Sequence, residues 1–290
     1  MFYSITELVE QATLHYEGNV AELMIATEFE LTGRDREEVL TLMTRNLEVM
    51  KESVHLGLND QLSRSGLTGG DAAKLDRYIQ SGKALSDYTV LTAAKNAIAV
   101  NEHNAKMGLV CATPTAGSAG CLPAVLTSAI EKLHLDKHQQ LEFLLAAGAF
   151  GLVIANNASI SGAEGGCQAE VGSASAMSAA ALTLAAGGSP YQASQAICFV
   201  IKNMLGLICD PVAGLVEVPC VKRNAMGASY AYIAADMALA GIESKIPVDE
   251  VIDAMYQVGS SLPTAFRETA EGGLATTPTG KRLQQEIFGE

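Results

Sequence analysis

Tryptophan is absent from the 290 residues, and aromatic side chains make up only 5% of them. The apolar 49% is mostly Leu, Ile, Val and Ala, and there are 27 glycines. Such a chain can bury a sizeable core, which excludes a disordered protein. Its many small residues suit closely packed helices and tight turns around a site. Basic charge is scarce: 19 Lys and Arg stand against 32 Asp and Glu, a net charge of −13 with a pI near 4.8. That excludes a general nucleic-acid binder, which needs a basic footprint for phosphates, and a polybasic lipid anchor. Long apolar runs are missing too. The longest extends from Phe143 to Ala155, short of the ~20 residues a membrane-spanning helix needs, so it reads as a buried core helix. The start runs from Met1-Phe2-Tyr3-Ser4 directly into Glu7 and Glu10. No basic stretch leads into an apolar one there, and no targeting segment is expected. The expectation is a soluble, cytoplasmic protein with neither nucleic acid nor membrane as a partner.

Strand signals are equally scarce. Few segments alternate with period two, and no Asn-Gly hairpin dipeptide occurs. Helical spacing is frequent. Ile5, Leu8, Val9 and Ala12 follow i, i+3, i+4, i+7 up to a break at Thr32-Gly33, and Val39, Leu42, Met43, Leu47 and Met50 form a second stripe. Further helices are expected over 90–107, over 124–133, after Pro247 and at the end of the chain. The fold expected is all-α: a single helical domain over 1–290, with Gly-rich loops carrying a site. Those loops are 57–71, with Asp71 as a cap for the next helix, then 113–120, 161–173, 187–190 and 210–220. The stretch Thr113-Pro114-Thr115-Ala116-Gly117-Ser118-Ala119-Gly120 is the most site-like. Its small residues let a ligand approach the backbone, and free amides ahead of a helix suit a carboxylate. His134 and His138, four apart, lie in a charged stretch that reads as solvated surface.

Of the six cysteines, Cys198 lies in an apolar run, and Cys111 and Cys121 have apolar neighbours. Cys167, Cys209 and Cys220 stand in loops marked by glycine or proline. In a reducing compartment disulfides are not expected. No C-x₂-C pair marks a structural zinc site. Loop thiolates suit soft metals such as zinc or the iron of a sulfide cluster. Spacing alone leaves this open against simple burial.

Two long segments go further: Glu164-Gly165-Gly166-Cys167-Gln168-Ala169-Glu170-Val171-Gly172, and Cys209-Asp210-Pro211-Val212-Ala213-Gly214 continuing to Cys220-Val221-Lys222-Arg223-Asn224-Ala225. With Asn101-Glu102-His103-Asn104-Ala105, Pro114 to Gly120, and Arg267-Glu268-Thr269-Ala270-Glu271-Gly272-Gly273, they resemble the bacterial iron–sulfur-dependent L-serine dehydratases over most of 60–280. The family occurs as one chain with β and α domains, or as two chains. This sequence is similar to the α chain of the two-chain form, since the Ser-Ser-His-Thr motif of the β part is missing. The resemblance implies a 4Fe–4S cluster on Cys167, Cys209 and Cys220, no pyridoxal phosphate, L-serine as substrate, and a separate beta chain in an αβ or (αβ)₂ assembly. Single-chain members end in a cysteine that caps the fourth iron. No cysteine follows Cys220 here, so water, substrate or an oxygen ligand is expected in its place.

The chemistry expected is removal of the serine Cα proton and β-hydroxyl, with an open iron as Lewis acid and a positioned base. Aminoacrylate then tautomerises and hydrolyses to pyruvate and ammonia. The base is not fixed by the sequence. Lys222 and Glu102 are candidates, and it could sit partly in the beta chain. Thr115, Gly117 and Ser118 are the candidate carboxylate contacts, followed by Ser65 and Gly66. Asn101 and Asn104 form a polar wall, and Arg223 and Asn224 either hold the carboxylate or support the cluster. The alternatives are the same chemistry on another amino acid, such as cysteine desulfuration, and a non-catalytic, metal-stabilised interaction subunit. A pyridoxal-phosphate enzyme would need a Schiff-base lysine motif, and none is evident.

Overall fold

The computed structural model of the chain describes residues 1–289. Among them the helices are α1 (Ile5–His15), α2 (Val20–Thr32), α3 (Arg36–Gly57), α4 (Asp71–Gln80), α5 (Tyr88–Ala105), α6 (Cys121–Leu133) and α7 (Lys137–Asn157). They continue with α8 (Gly162–Gly165), α9 (Ser173–Ala185), α10 (Pro190–Met204), α11 (Cys220–Leu239), α12 (Val248–Ser261) and α13 (Pro278–Phe288). No strand forms among the described residues. One isolated parallel bridge joins Cys209 to Arg267.

Local chemistry sets many of the boundaries. Ser4, Asn19, Asp35, Asp136 and Ser189 each accept a backbone amide at a helix start, and Asp35, Asp136 and Ser189 complete reciprocal capping boxes. Gly33 ends α2 in the left-handed conformation, φ 75°. The first apolar stretch is two helices rather than one, because Glu17 and Gly18 turn the chain at positive φ. Stretch 161–173 is also not a plain loop. It folds as α8 followed by a π-turn, Gln168–Gly172, that runs straight into α9. His134 ends α6 at φ 55°, while His138 lies in α7 beside Glu142, so the two histidines do not share a helix face.

The core centres on α9, which packs against α6, α7, α10 and α11. Residues Ser173 to Thr183 are all buried. Small side chains make this possible, because they let the neighbouring helices come close, and three of the four hydroxyls bond to the backbone. Ser178 and Thr183 donate to carbonyls one turn back, and Ser175 donates to Gly227 O. The apolar stretch 143–155 lies in α7, which is long and apolar enough to cross a membrane by length and composition, yet most of it is buried inside the fold. Phe143, Phe150 and Ile154 on α7 join Leu126, Ile197, Ile201 and Met255 in one continuous cluster. Full burial of a side chain of this size contributes about 1.5–3 kcal/mol. At the crossing of α3 and α5 the backbones almost touch: a Cβ on Gly57 would lie 1.9 Å from Ala99 O.

Candidate active site

The three loop cysteines come from three different supports. Cys167 follows Gly166, whose φ of 76° is left-handed and whose absent Cβ would meet Leu262 Cδ1 at 2.7 Å. Gln168 ties this corner down. Its amide nitrogen donates to Leu207 O, its Oε1 accepts from Gly206 N, and its Nε2 donates to Met255 O, each at 2.9 Å. Cys209 is fixed by the bridge to the late loop: its N donates to Phe266 O, and Glu268 N donates to its O. Cys220 opens α11. All three are buried and free of disulfides.

Burial raises all three thiol pKa values, that of Cys167 to about 12. The negative charge of Cys167 adds to the rise at Cys209 and Cys220, and Arg223 opposes it at Cys167 and Cys220. Three thiols gathered where ionising one disfavours the next suit a cationic, sulfur-seeking centre, which reverses that balance by drawing thiolates. They do not converge with other side chains as ligands of one ion. A cluster makes no such demand, because each thiolate takes its own iron.

Glu170 faces this corner from the π-turn, a backbone form often found at functional sites. It is buried and accepts from the Thr115 hydroxyl. Burial pushes its pKa up, the Thr115 bond opposes this, and the nearby Glu268 charge adds to it. Two glycines leave room for it. A Cβ on Gly117 would fall 2.5 Å from Glu170 Oε1. A Cβ on Gly162 would meet Cys209 Sγ at 3.0 Å, Glu170 Oε2 at 3.1 Å and Glu268 Oε2 at 3.2 Å. One thiol and two carboxylates therefore surround a single glycine-lined spot.

The loop from Thr115 to Gly120 is held from behind. Asn101 Nδ2 and Asn224 Nδ2 both donate to Gly117 O, at 3.2 and 2.8 Å, and Asn104 Nδ2 donates to Ala116 O at 3.1 Å. Asn224 Oδ1 also accepts from Gly120 N. A trans peptide sets its N–H opposite its C=O, so pinning the Ala116 carbonyl on the asparagine side directs the Gly117 amide the other way, while the Ser118 amide donates to Thr115 Oγ1. Ser118 and Thr115 close the loop through their hydroxyls, 3.0 Å apart. Asn101, Asn104 and Asn224 thus shape the loop.

Other expected site residues are committed elsewhere. Arg223 donates to Ile208 O, pairs with buried Asp210 at 2.9 Å and lowers the cost of charge on the Cys167 thiol, so it supports the cysteine loops. Ser65 Oγ, with Ser63 Oγ, donates to buried Glu217 Oε2, and Gly66 occupies the turn beside them at φ 77°. Glu102 accepts from the amides of Asp71 and Ala72, and so closes the N-terminus of α4. Gly70 rather than Asp71 holds the cap position there. Asp71 instead takes the half-exposed Lys222 ammonium at 2.5 Å. Glu170 and Glu268 stand in the sequence motifs without a role, and only the fold brings them together at Gly162.

A family model described as "Serine dehydratase alpha chain" matches residues 15–275. The chain belongs to the serine dehydratase alpha-chain family. It is 59% identical over 289 residues to a probable L-serine dehydratase, alpha chain, of Bacillus subtilis, covering 100% of this chain and 96% of that one. An L-serine dehydratase, alpha chain, of Peptoniphilus asaccharolyticus is 41% identical over 276 residues, 93% of each chain. An L-serine dehydratase of Streptomyces coelicolor is 40% identical over 265 residues, covering 89% of this chain but only 57% of the longer relative. The three cysteines, Glu170 and the asparagine-held loop all fall inside the segment that the family model matches.

Proposed function

We propose that this chain, acting over 1–290 as one helical unit in the cytoplasm, is the alpha subunit of an L-serine dehydratase that converts L-serine to pyruvate and ammonia. The observation that carries the reading is the convergence of Cys209, Glu170 and Glu268 around Gly162, beside a loop whose Gly117 packs against Glu170. Cys167, Cys209 and Cys220 would hold a 4Fe–4S cluster, which when bound supplies a Lewis-acidic iron for the departing hydroxyl.

This chain's own residues supply the rest. The Gly117 amide receives the substrate carboxylate in the loop that Thr115 and Ser118 close, and the asparagines behind it keep that geometry rigid. Glu170, buried and steadied by Thr115, is placed to hold or pass a proton at its carboxylate. Arg223 and Asp210 keep the cysteine loops in register. The overall reaction loses one Cα proton and one hydroxide as water, and the resulting enamine hydrolyses to pyruvate and ammonia without net electron transfer. No lysine is required as a Schiff base, which fits a reaction without pyridoxal phosphate. A separate beta chain completes the enzyme, in an αβ or (αβ)₂ assembly, as the alpha-chain names of the relatives suggest.

The test is anaerobic reconstitution with iron and sulfide, followed by pyruvate assay from L-serine with and without the beta chain. Turnover that needs iron and both chains supports the reading. A cluster that forms but acts only on another hydroxy- or thio-amino acid, or turnover that survives without iron in Cys167→Ala, overturns it.

A further inference from the structure

Four large apolar side chains crowd the rim beside the substrate loop. Leu56 is 45% exposed, Leu62 64%, Met107 91% and Leu109 71%. They come from two segments that are tied together. Asn59 lies between Leu56 and Leu62, donates to Leu56 O, and accepts from Lys106 Nζ at 2.9 Å. Met107 N in turn donates to Asn104 O, and Asn104 holds Ala116 of the substrate loop. The patch is therefore continuous with the backbone that shapes the candidate site. Isolated exposed leucines are ordinary, but a contiguous apolar group at the edge of a site marks an interface. Methionine and large apolar side chains are frequent in such interface cores.

We propose that this rim is the docking surface for the beta chain. The inference rests on the two-chain reading above and adds where the second chain sits. Length identifies the occupant. This chain covers 96% and 93% of the two alpha-chain relatives but only 57% of the Streptomyces coelicolor enzyme. The rest of that longer protein has no counterpart here, and if it serves the same reaction it must reach the site. The rim next to the substrate loop is the apolar surface from which it can do so. A second copy of this chain is a poorer occupant, since each copy brings a net charge of −13. A second exposed stripe, Met226, Tyr230 and Ile233 on α11, is the competing surface, because α11 also reaches that loop through Asn224, and it is less exposed than Met107 and Leu109.

The experiment measures binding of the full-length chain to the beta chain by calorimetry, for wild type, Met107→Asp/Leu109→Asp and Met226→Asp/Ile233→Asp. All four positions are exposed, and aspartate tolerates the positive φ of 64° at Met107. The rim variant is expected to bind at least tenfold more weakly, with unchanged far-UV circular dichroism, and the α11 variant to bind as wild type. An unchanged Kd for the rim variant overturns the proposal. So does a loss confined to the α11 variant, or a rim-dependent dimer of this chain alone that excludes the beta chain. If the wild-type pair binds through the rim yet makes no pyruvate, the enzymatic reading fails and the docking surface stands.

Discussion

Glu170 combines features that rarely meet at one carboxyl: burial, a single hydroxyl donor and a second carboxylate nearby. If it moves the proton, Glu170→Gln keeps the shape and removes the chemistry. Turnover of the reconstituted pair should fall about 10²- to 10⁴-fold with iron content unchanged, and undiminished kcat would remove Glu170 from the mechanism. Asn224 acts at one remove from the substrate. Asn224→Ala strips the partner of Gly120 N inside the protein and leaves Gly117 O with Asn101 alone, at a cost of about 1–3 kcal/mol for the unsatisfied amide. The expected result is a lower Tm and a higher KM for serine, with kcat less affected. A variant whose KM stays put would show that the loop does not depend on this side chain. The cysteine motifs were legible in the sequence because they are long and contiguous. Glu170 was not, because it is one of 32 acids until a π-turn aims it at Cys209. Glu102 and Lys222 looked available for the opposite reason: a sequence does not show that one carboxylate caps α4 and that one ammonium is paired with Asp71.

Among the elements, the α3–α5 crossing is the tightest contact described. Gly57→Ala would drive a Cβ into Ala99 O, a backbone atom that cannot step aside, so a loss of about 1–3 kcal/mol is expected. Gly148→Ala in α7 meets nothing within 4 Å and should gain about 0.5–1 kcal/mol by helix propensity. Thermal melts of the two variants should move in opposite directions, and parallel shifts would contradict the packing. The Glu22–Arg36 pair joins α2 to α3. Its hydrogen bond to Arg36 holds the Glu22 carboxyl below the usual glutamate range. The folded pKa is depressed, so this stabilisation is present above that range and lost as pH falls through it. Both partners are substantially exposed, which limits the contribution to about 1 kcal/mol at most. The stability gap between wild type and Arg36→Ala should close below about pH 4, and a gap that persists there would assign it to packing. The start of α12 was legible because Pro247 announces it, whereas the capping boxes at Asp136 and Ser189 went unread in a charged stretch and a Gly-Ser-Pro turn. Nor were the split at Glu17-Gly18 and the fold of 161–173 legible, since both depend on backbone angles that tertiary packing selects.

For the whole molecule, Cys167 and Cys209 belong to the same buried cluster as the helices, yet most of that cluster is aliphatic. The core is built from buried apolar side chains on α6, α7, α9 and α10 that need no metal. Stripping metal from the reconstituted protein with a chelator should leave the far-UV circular dichroism intact and lower Tm. Ligand linkage sets the scale, about 2.7 kcal/mol when free metal is at 100 times its Kd. An apo protein without helix would contradict this.

The backbone partners of Cys209 also set an order in time. Phe266 and Glu268, which flank it on both sides, are translated after all three thiols. The nascent chain carries all three thiols well before it can fix the middle one. The thiol corner therefore takes its final shape only once the late loop has been made and has docked against Cys209.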